Sequence, residues 1–434
     1  MLIQFKAKNF LSFKHEVILN TVASNITEFQ KSNVFVNHKE KYLKSIAIYG
    51  ANASGKSNLF KAIGFFKHFV KNSYKLSLDD SITPVTPFKL STETENKPSS
   101  FEITFIHKQV QYRYGFTVDR IRIHQEWLYS LELKPRSKEN LLFQRGKKIK
   151  LGRTIKKWNI KQIDEATIRS NVLVLTKLAM DYDKIQEEVL NWFNNLNTIS
   201  GYKPSSYSSY TRKKIDSNPD FKKQVINLLR AADIQISDIF VQKTHLEPDK
   251  IPEKLKTKLM NLSQQIPGRI EDVEQLDYLT RHNKYNLRNK LVGSTLLSLD
   301  EEESQGTNQL FNLLGPIIDT ISHNKILFID EIDSSLHPYL TQLLVKLFNS
   351  TNNEMSQLIF TTHDVALLNA HCLRRDQVWF TELDEYGASQ LFSLANFKES
   401  ETGQKVRKDA DYLKQYMLGR YGAIPLVDEI HEED

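Results

Sequence analysis

Gly50-Ala51-Asn52-Ala53-Ser54-Gly55-Lys56-Ser57 is the stretch whose residue types and spacing point most directly to chemistry. It fits G-x-x-x-x-G-K-[ST], a loop whose backbone N–H groups wrap phosphate oxygens. Upstream, Ser45-Ile46-Ala47-Ile48-Tyr49 reads as a short buried strand, and downstream Leu59, Ile63, Phe66 and Val70 recur at helical spacing. This context predicts phosphates at a helix N-terminus, where free N–H groups and the positive end of the dipole favour anions. Gly50, Asn52, Ala53, Ser54, Gly55, Lys56, Ser57 and the adjoining Asn58 are therefore candidate nucleotide-binding residues. Lys56 would contact the β- and γ-phosphates of ATP, and the Ser57 hydroxyl would hold Mg²⁺. The bland alternative is a Gly-rich turn.

A second set lies far along the chain. Lys325-Ile326-Leu327-Phe328-Ile329-Asp330-Glu331 is an apolar run ending in two carboxylates, the pattern of a buried parallel strand that delivers acid at its C-terminal end. Asp330 would bind Mg²⁺ directly or through water, and Glu331 would polarise the water that attacks the γ-phosphate. A helix cap or solvated turn is the competing reading of the Asp-Glu pair. Gln357-Leu358-Ile359-Phe360-Thr361-Thr362-His363 is a second such strand, and His363 is placed to hydrogen-bond a γ-phosphate or the attacking water. Ser304 and Gly306 stand just ahead of an amphipathic helix marked by Leu310, Leu313, Leu314 and Ile317, again a helix start suited to phosphate.

The remaining elements must hold these residues. Residues 2–20 alternate as strands do around a turn at Asn9-Phe10-Leu11-Ser12-Phe13, and a mobile polar stretch is expected at 22–43. Residues 71–100 read as a surface connection. Phe101–Ile106, Tyr112–Val118, Ile121–Ile123, Glu126–Tyr129 and Leu141–Gly146 read as antiparallel strands. The hairpin after Leu141 carries Arg145, Lys147, Lys148, Lys150, Arg153, Lys156 and Lys157, either a nucleic-acid surface or a solvated edge that prevents aggregation. Residues 184–193 and 221–229 are amphipathic, residues 202–210 are expected to be flexible, and Ser294–Leu299 is expected to return the chain to a core.

With 434 residues and 40% hydrophobic content, the chain suits two or three lobes with sizeable cores. The balance of 59 basic to 52 acidic residues permits nucleic-acid contact without requiring it. A single cysteine, Cys372, excludes intrachain disulfides and Cys-based metal sites and points to a reducing, cytoplasmic setting. No apolar run approaches a membrane span, and the N-terminus lacks signal-peptide features. The acidic end, Asp428-Glu429-Ile430-His431-Glu432-Glu433-Asp434, reads as a solvated tail.

Phosphate loop, Ser-x-Gly helix start, strand with Asp-Glu, Asp333-bearing turn and strand with His occur in the order of the ABC-type ATPase head. The chain resembles the soluble SMC- and Rad50-like members of that branch. More closely it resembles compact bacterial ATPases of the Rlo/AbiL type associated with abortive infection and phage defence, through Asn9–Phe13, Tyr112-Arg113-Tyr114-Gly115-Phe116, Glu126-Trp127-Leu128 and Gly419-Arg420-Tyr421-Gly422-Ala423-Ile424-Pro425. The resemblance implies an α/β fold: an ABC-type P-loop ATPase head with an antiparallel β subdomain and an inserted, mainly helical lobe. The head would occupy 1–180 and 291–434, and the lobe 181–290. It further implies an ATP-dependent homodimer in which Ser304 and Gly306 of one chain complete the pocket of Lys56, Ser57, Asp330, Glu331 and His363 in the other. Asp333 and Ser334 would relay the state of one site to its neighbour. Ser304-Gln305-Gly306-Thr307 departs from the fuller Ser-Gly-Gly-Gln pattern, which implies slow hydrolysis, and Gln144 is the candidate for the family's glutamine loop. Related overcoming-lysogenization-defect nucleases carry a C-terminal nuclease; here the implied nuclease, of toprim type, would be a separate effector. A DNA-binding repair or recombination ATPase is the other reading, and a transporter subunit is disfavoured by the β-rich stretch and the insert.

Overall fold

The computed structural model describes the chain except for residues 157, 161–162, 202, 204–206, 246–273, 370–371, 399–405, 408–409 and 425–434. It divides into two compact units, Met1–Lys203 with Asp319–Asp434, and Pro204–Ile318.

The first unit is built on a six-stranded sheet of order β11-β15-β16-β5-β17-β18. Its strands are β5 (Ser45–Gly50), β11 (Leu196–Ser200), β15 (Ile326–Asp330), β16 (Gln357–Thr361), β17 (Val378–Leu383) and β18 (Ser389–Ser393). The first five run parallel, and only β18 is antiparallel. Every residue of β5, β15 and β16 is buried, which is why these segments read as continuous apolar runs rather than alternating ones. The loop after β5 turns directly into helix α1 (Lys56–Asn72).

A second, seven-stranded antiparallel sheet has the order β10-β9-β8-β7-β6-β1-β2. It comprises β1 (Leu2–Lys8), β2 (Val17–Asn20), β6 (Ser99–His107), β7 (Val110–Val118), β8 (Ile123–Glu132), β9 (Asn140–Arg145) and β10 (Ile149–Leu151). Helix α1 is buried against both sheets. Phe60 meets Phe328 of β15 edge-on at 5.6 Å, while Phe66 stacks on Phe116 of β7 at 5.0 Å and meets Phe5 of β1 at 5.8 Å. Burial of each such ring contributes about 1.5–3 kcal/mol, so the phosphate-loop helix is anchored to both sheets. Glu126 of β8, fully buried, accepts hydrogen bonds from the Val174 and Leu175 N–H groups at 2.7 and 2.9 Å and from the Tyr114 hydroxyl at 2.9 Å. Burial pushes its pKa up; the carboxylate caps the helix Val174–Asp181 from outside that helix.

Several expectations are corrected. Residues 22–43 include a hairpin, β3 (Val34–Asn37) with β4 (Glu40–Leu43), and buried Asn33 donates to the Cys372 carbonyl and to Gln377 Oε1, both at 2.7 Å. The amphipathic 184–193 segment is not one helix: Asp183–Glu188 is α-helical, Val189 breaks it at φ −125°, and Leu190–Asn195 continues as a 3₁₀ turn. In 202–210, residues 202 and 204–206 lie outside the described set, but Tyr207 is buried ahead of the helix Ser208–Ser217.

The second unit combines helices with a three-stranded antiparallel sheet of β12 (Asp238–His245), β13 (Glu274–Tyr285) and β14 (Leu291–Ser298). The helix Pro219–Ala231 starts with Asn218, whose side chain accepts the Phe221 N–H, and Pro219 in its first turn. The Ser294–Leu299 segment does not enter a core: β14 is an edge strand exposed from Leu291 to Leu296, and only Leu299 is buried. No helix among the described residues is long and apolar enough to cross a membrane.

Candidate nucleotide-binding site

The phosphate loop forms because Ala53 (φ 63°) and Gly55 (φ 108°) take left-handed conformations that fold the chain back onto itself before α1. Gly55 is required twice over, since a Cβ there would overlap the Ser389 hydroxyl. No side chain caps α1, and its first turn holds no acidic residue, so the leading N–H groups remain open to an anion. Lys56, only 6% exposed, donates from Nζ to the carbonyls of Gly50 and Ala51 at 2.7 and 2.9 Å, using two of its three protons. Burial lowers its pKa, opposed by the charges of Asp330, Glu331 and Asp333. Because β5 and β15 both run parallel to β16, Asp330 and Glu331 leave the sheet at the same end as the loop carrying the lysine.

The back of the loop is held by other segments. Ser54 Oγ lies 2.6 Å from Thr381 Oγ1 of β17. Ser389 Oγ lies 2.7 Å from both the Ser54 carbonyl and Ser12 Oγ, and Ser12 Oγ accepts from Asn58 Nδ2 at 2.8 Å. The Asn9–Phe13 turn is thus part of the loop's support, with Asn9 and Leu11 both at positive φ. Beside Asn58 a groove of about 330 Å³ opens between Leu11, Pro87, Phe88 and Lys89. Asn52 and Ala53 are exposed at the loop tip.

At the end of β15, Asp330 Oδ1 accepts from the Thr361 hydroxyl at 2.7 Å, and Thr361 Oγ1 accepts the Glu331 N–H at 2.6 Å. One buried threonine thus fixes both carboxylate-bearing residues. Glu331 itself is left-handed, φ 57°. Gly201, hydrogen-bonded from its N–H to the Asp330 carbonyl at 2.7 Å, leaves space that any Cβ would deny to the Glu331 carbonyl. Neither Thr361 nor Gly201 carries a motif signal; the first was visible only as part of a strand, and the second comes from a distant segment. Asp333 Oδ2 accepts the His363 N–H at 3.1 Å, and His363 is exposed. Asp364 next to it has its pKa raised by burial and by Asp333.

The group this arrangement suggests is Mg²⁺ with a nucleotide triphosphate. Among the described residues, Asp333 Oδ1 and Ser200 Oγ are buried without a hydrogen-bond partner at these strand ends, Ser200 standing beside Asp330 in the β11–β15 register. The donors are hard oxygens, from Ser57 and Asp330, which suits Mg²⁺ completed by waters and phosphate. Ser304 and Gly306 belong to the second unit: Ser304 is exposed, and its Oγ accepts the Thr307 N–H at 3.0 Å at the start of the helix Gln305–Ser322. Gln144 lies in β9, exposed and paired with Lys150.

Residues 45–369 match the protein family described as "AAA domain, putative AbiEii toxin, Type IV TA system". The chain belongs to this family. No curated protein matches this AAA-domain chain significantly. Among solved structures, it is similar to an SMC head bound to the C-terminal winged-helix domain of ScpA, at 13% identity over 90% of this chain and 97% of that one, with a TM-score of 0.42. It is also similar to the SMC head domain from Thermotoga maritima, at 13% identity over 90% and 98%, with a TM-score of 0.40.

Removing the threonine bridge leaves the buried Asp330 carboxylate and the Glu331 N–H without their partner. Thr361→Val, which keeps the side-chain shape, is expected to cost about 1–3 kcal/mol and to weaken Mg²⁺-dependent nucleotide binding. Denaturant unfolding and titration with MgATP check this; an unchanged midpoint together with unchanged binding would contradict the bridge.

Proposed function

We propose that the chain is an ATPase that closes into a dimer around two ATP molecules and controls a separate effector, a toprim-type nuclease, in defence against phage. The carrying observation is that β5 and β15 both run parallel to β16 between them, so the loop that carries Lys56 and the carboxylates of Asp330 and Glu331 leave the same end of one sheet. In this reading Lys56 exchanges the Gly50 and Ala51 carbonyls for β- and γ-phosphate oxygens. Ser57 and Asp330 would hold Mg²⁺, which would neutralise charge on the phosphates. Glu331 takes a proton from the water as it attacks the γ-phosphorus, and the bond to the β–γ bridging oxygen breaks. His363, tied through its backbone to Asp333, contacts the γ-phosphate.

Ser304 and Gly306 of the second copy supply the remaining helix start to that phosphate. A γ-phosphate held from two chains gives ATP a large preference for the closed dimer, and hydrolysis removes it. The family description, with its toxin–antitoxin wording, is compatible with an effector under control.

A DNA-binding repair ATPase is the second reading, favoured by the exposed Lys147, Lys148 and Lys150 around the β9–β10 turn. Arg145 is not part of such a surface, because it donates to the Val172 and Arg169 carbonyls. Salt-dependent binding of a DNA duplex by the purified chain would favour this reading.

The test of the first reading is Ser304→Arg. A guanidinium at this exposed helix start is expected to abolish ATP-induced closure of one copy on another, measured by energy transfer between labelled copies, while ATP binding is retained. Closure at the wild-type ATP concentration would remove Ser304 from the pocket.

A further inference from the structure

The second unit carries an arm that the nucleotide chemistry does not use. β13 and β14 pair from Leu279 to Ser298. Between those residues there is no Asp or Glu, but there are Arg281, Lys284, Arg288 and Lys290. Arg281 is held with its guanidinium 4.3 Å from the Phe240 ring centre. Lys284, Arg288 and Lys290 are exposed around the hairpin turn, and none is in an ion pair with a described residue.

Apolar side chains are exposed among them: Leu287 completely, Leu291 at 61%, Val292 at 57% and Leu296 at 47%. β14 is also the outer strand of its sheet, so among the described residues one edge of its backbone has no strand partner. It has no Lys or Pro between Leu291 and Ser298 to blunt that edge. A nucleic-acid backbone would answer the cations but not the apolar residues or the open edge. An extended polypeptide strand with both apolar and acidic side chains answers all three.

This chain contains such a segment. Leu426-Val427-Asp428-Glu429-Ile430-His431-Glu432-Glu433-Asp434 has five carboxylates, three aliphatic residues and no Lys or Arg. We propose that residues 426–434 of one copy add as a strand to β14 of a second copy, with the carboxylates against Lys284, Arg288 and Lys290. Reciprocal exchange closes the pair by twofold symmetry. The contact deepens the proposed self-association, but it forms without nucleotide.

The full-length chain is measured by light scattering without nucleotide at low and high salt. The expected result is a dimer that weakens about tenfold or more between 0.1 and 0.5 M salt, because the pairing is exposed to screening. Lys284→Glu with Arg288→Glu and Lys290→Glu is expected to give a monomer. So is replacement of the five tail carboxylates by lysine. Combining the two sets in one chain exchanges the charges and is expected to restore the dimer, which a misfolded arm could not do. A monomeric wild type, a hairpin-reversed chain that still dimerises, or no restoration in the charge-exchanged chain would overturn the proposal. So would loss of binding to a 20-base-pair DNA duplex in the hairpin variant with its mass unchanged. ATP-dependent closure, read separately with Ser304→Arg, tests the nucleotide reading and can fail without this one.

Discussion

Lys56→Ala is expected to weaken MgATP binding by about a hundredfold or more while the fold survives. The ammonium is buried inside the loop and already donates two hydrogen bonds to Gly50 and Ala51. In the nucleotide complex those bonds would be made to phosphate oxygens, charge on charge, each worth about 1.5–3 kcal/mol. Loss of two such interactions corresponds to about two to four orders of magnitude in affinity. The folded protein does not depend on the cation in the same way, because burial works against its charge and lowers its pKa. Calorimetric titration of MgATP, with a parallel melting curve, separates the two effects. Wild-type affinity in the variant would show that the phosphates bind elsewhere.

Glu331→Gln is expected to lower turnover by about 10²- to 10⁴-fold, the usual range for removing a general base, while leaving ATP binding intact. The substitution keeps size and shape, and Thr361 holds this residue through its backbone N–H rather than its side chain, so the position is not disturbed. ATP then stays bound and the closed state accumulates, seen as an ATP-dependent rise in energy transfer between labelled copies with little phosphate release. Unchanged phosphate release would place the water-activating group elsewhere.

The parts of the fold that were legible in the sequence are those governed by local rules. The phosphate loop announces itself because glycine spacing, a buried strand and a helical period occur together, and β5, the loop and α1 follow in that order. Asp330 and Glu331 were legible because a run of four apolar residues ending in acid has few other uses. Gly201 and Thr361 were not legible in this role, since their contacts to Asp330 and Glu331 join segments 30 or more positions apart, and no spacing rule reports such proximity.

Thr295-Leu296-Leu297-Ser298-Leu299 misled for a different reason. Its aliphatic content reads as core, but burial of a strand depends on what covers it, and β14 lies at the edge. Residues 22–43 misled in the opposite sense: Asn33 within the stretch, and Lys44 just after it, are buried by specific hydrogen bonds that composition does not reveal.

The most direct measurement of the two-chain pocket is complementation, carried out in the Glu331→Gln background so that ATP is not consumed. A chain with Lys56→Ala lacks the phosphate grip, and a chain with Ser304→Arg lacks the opposing helix start. Each alone is expected to stay unclosed with ATP. Mixed, they pair the intact Lys56 of one with the intact Ser304 of the other, and one complete pocket per heterodimer should give ATP-dependent closure, detected by energy transfer between labels on the two chains. If the mixture behaves as either variant does alone, each chain would not be providing half of a shared nucleotide site.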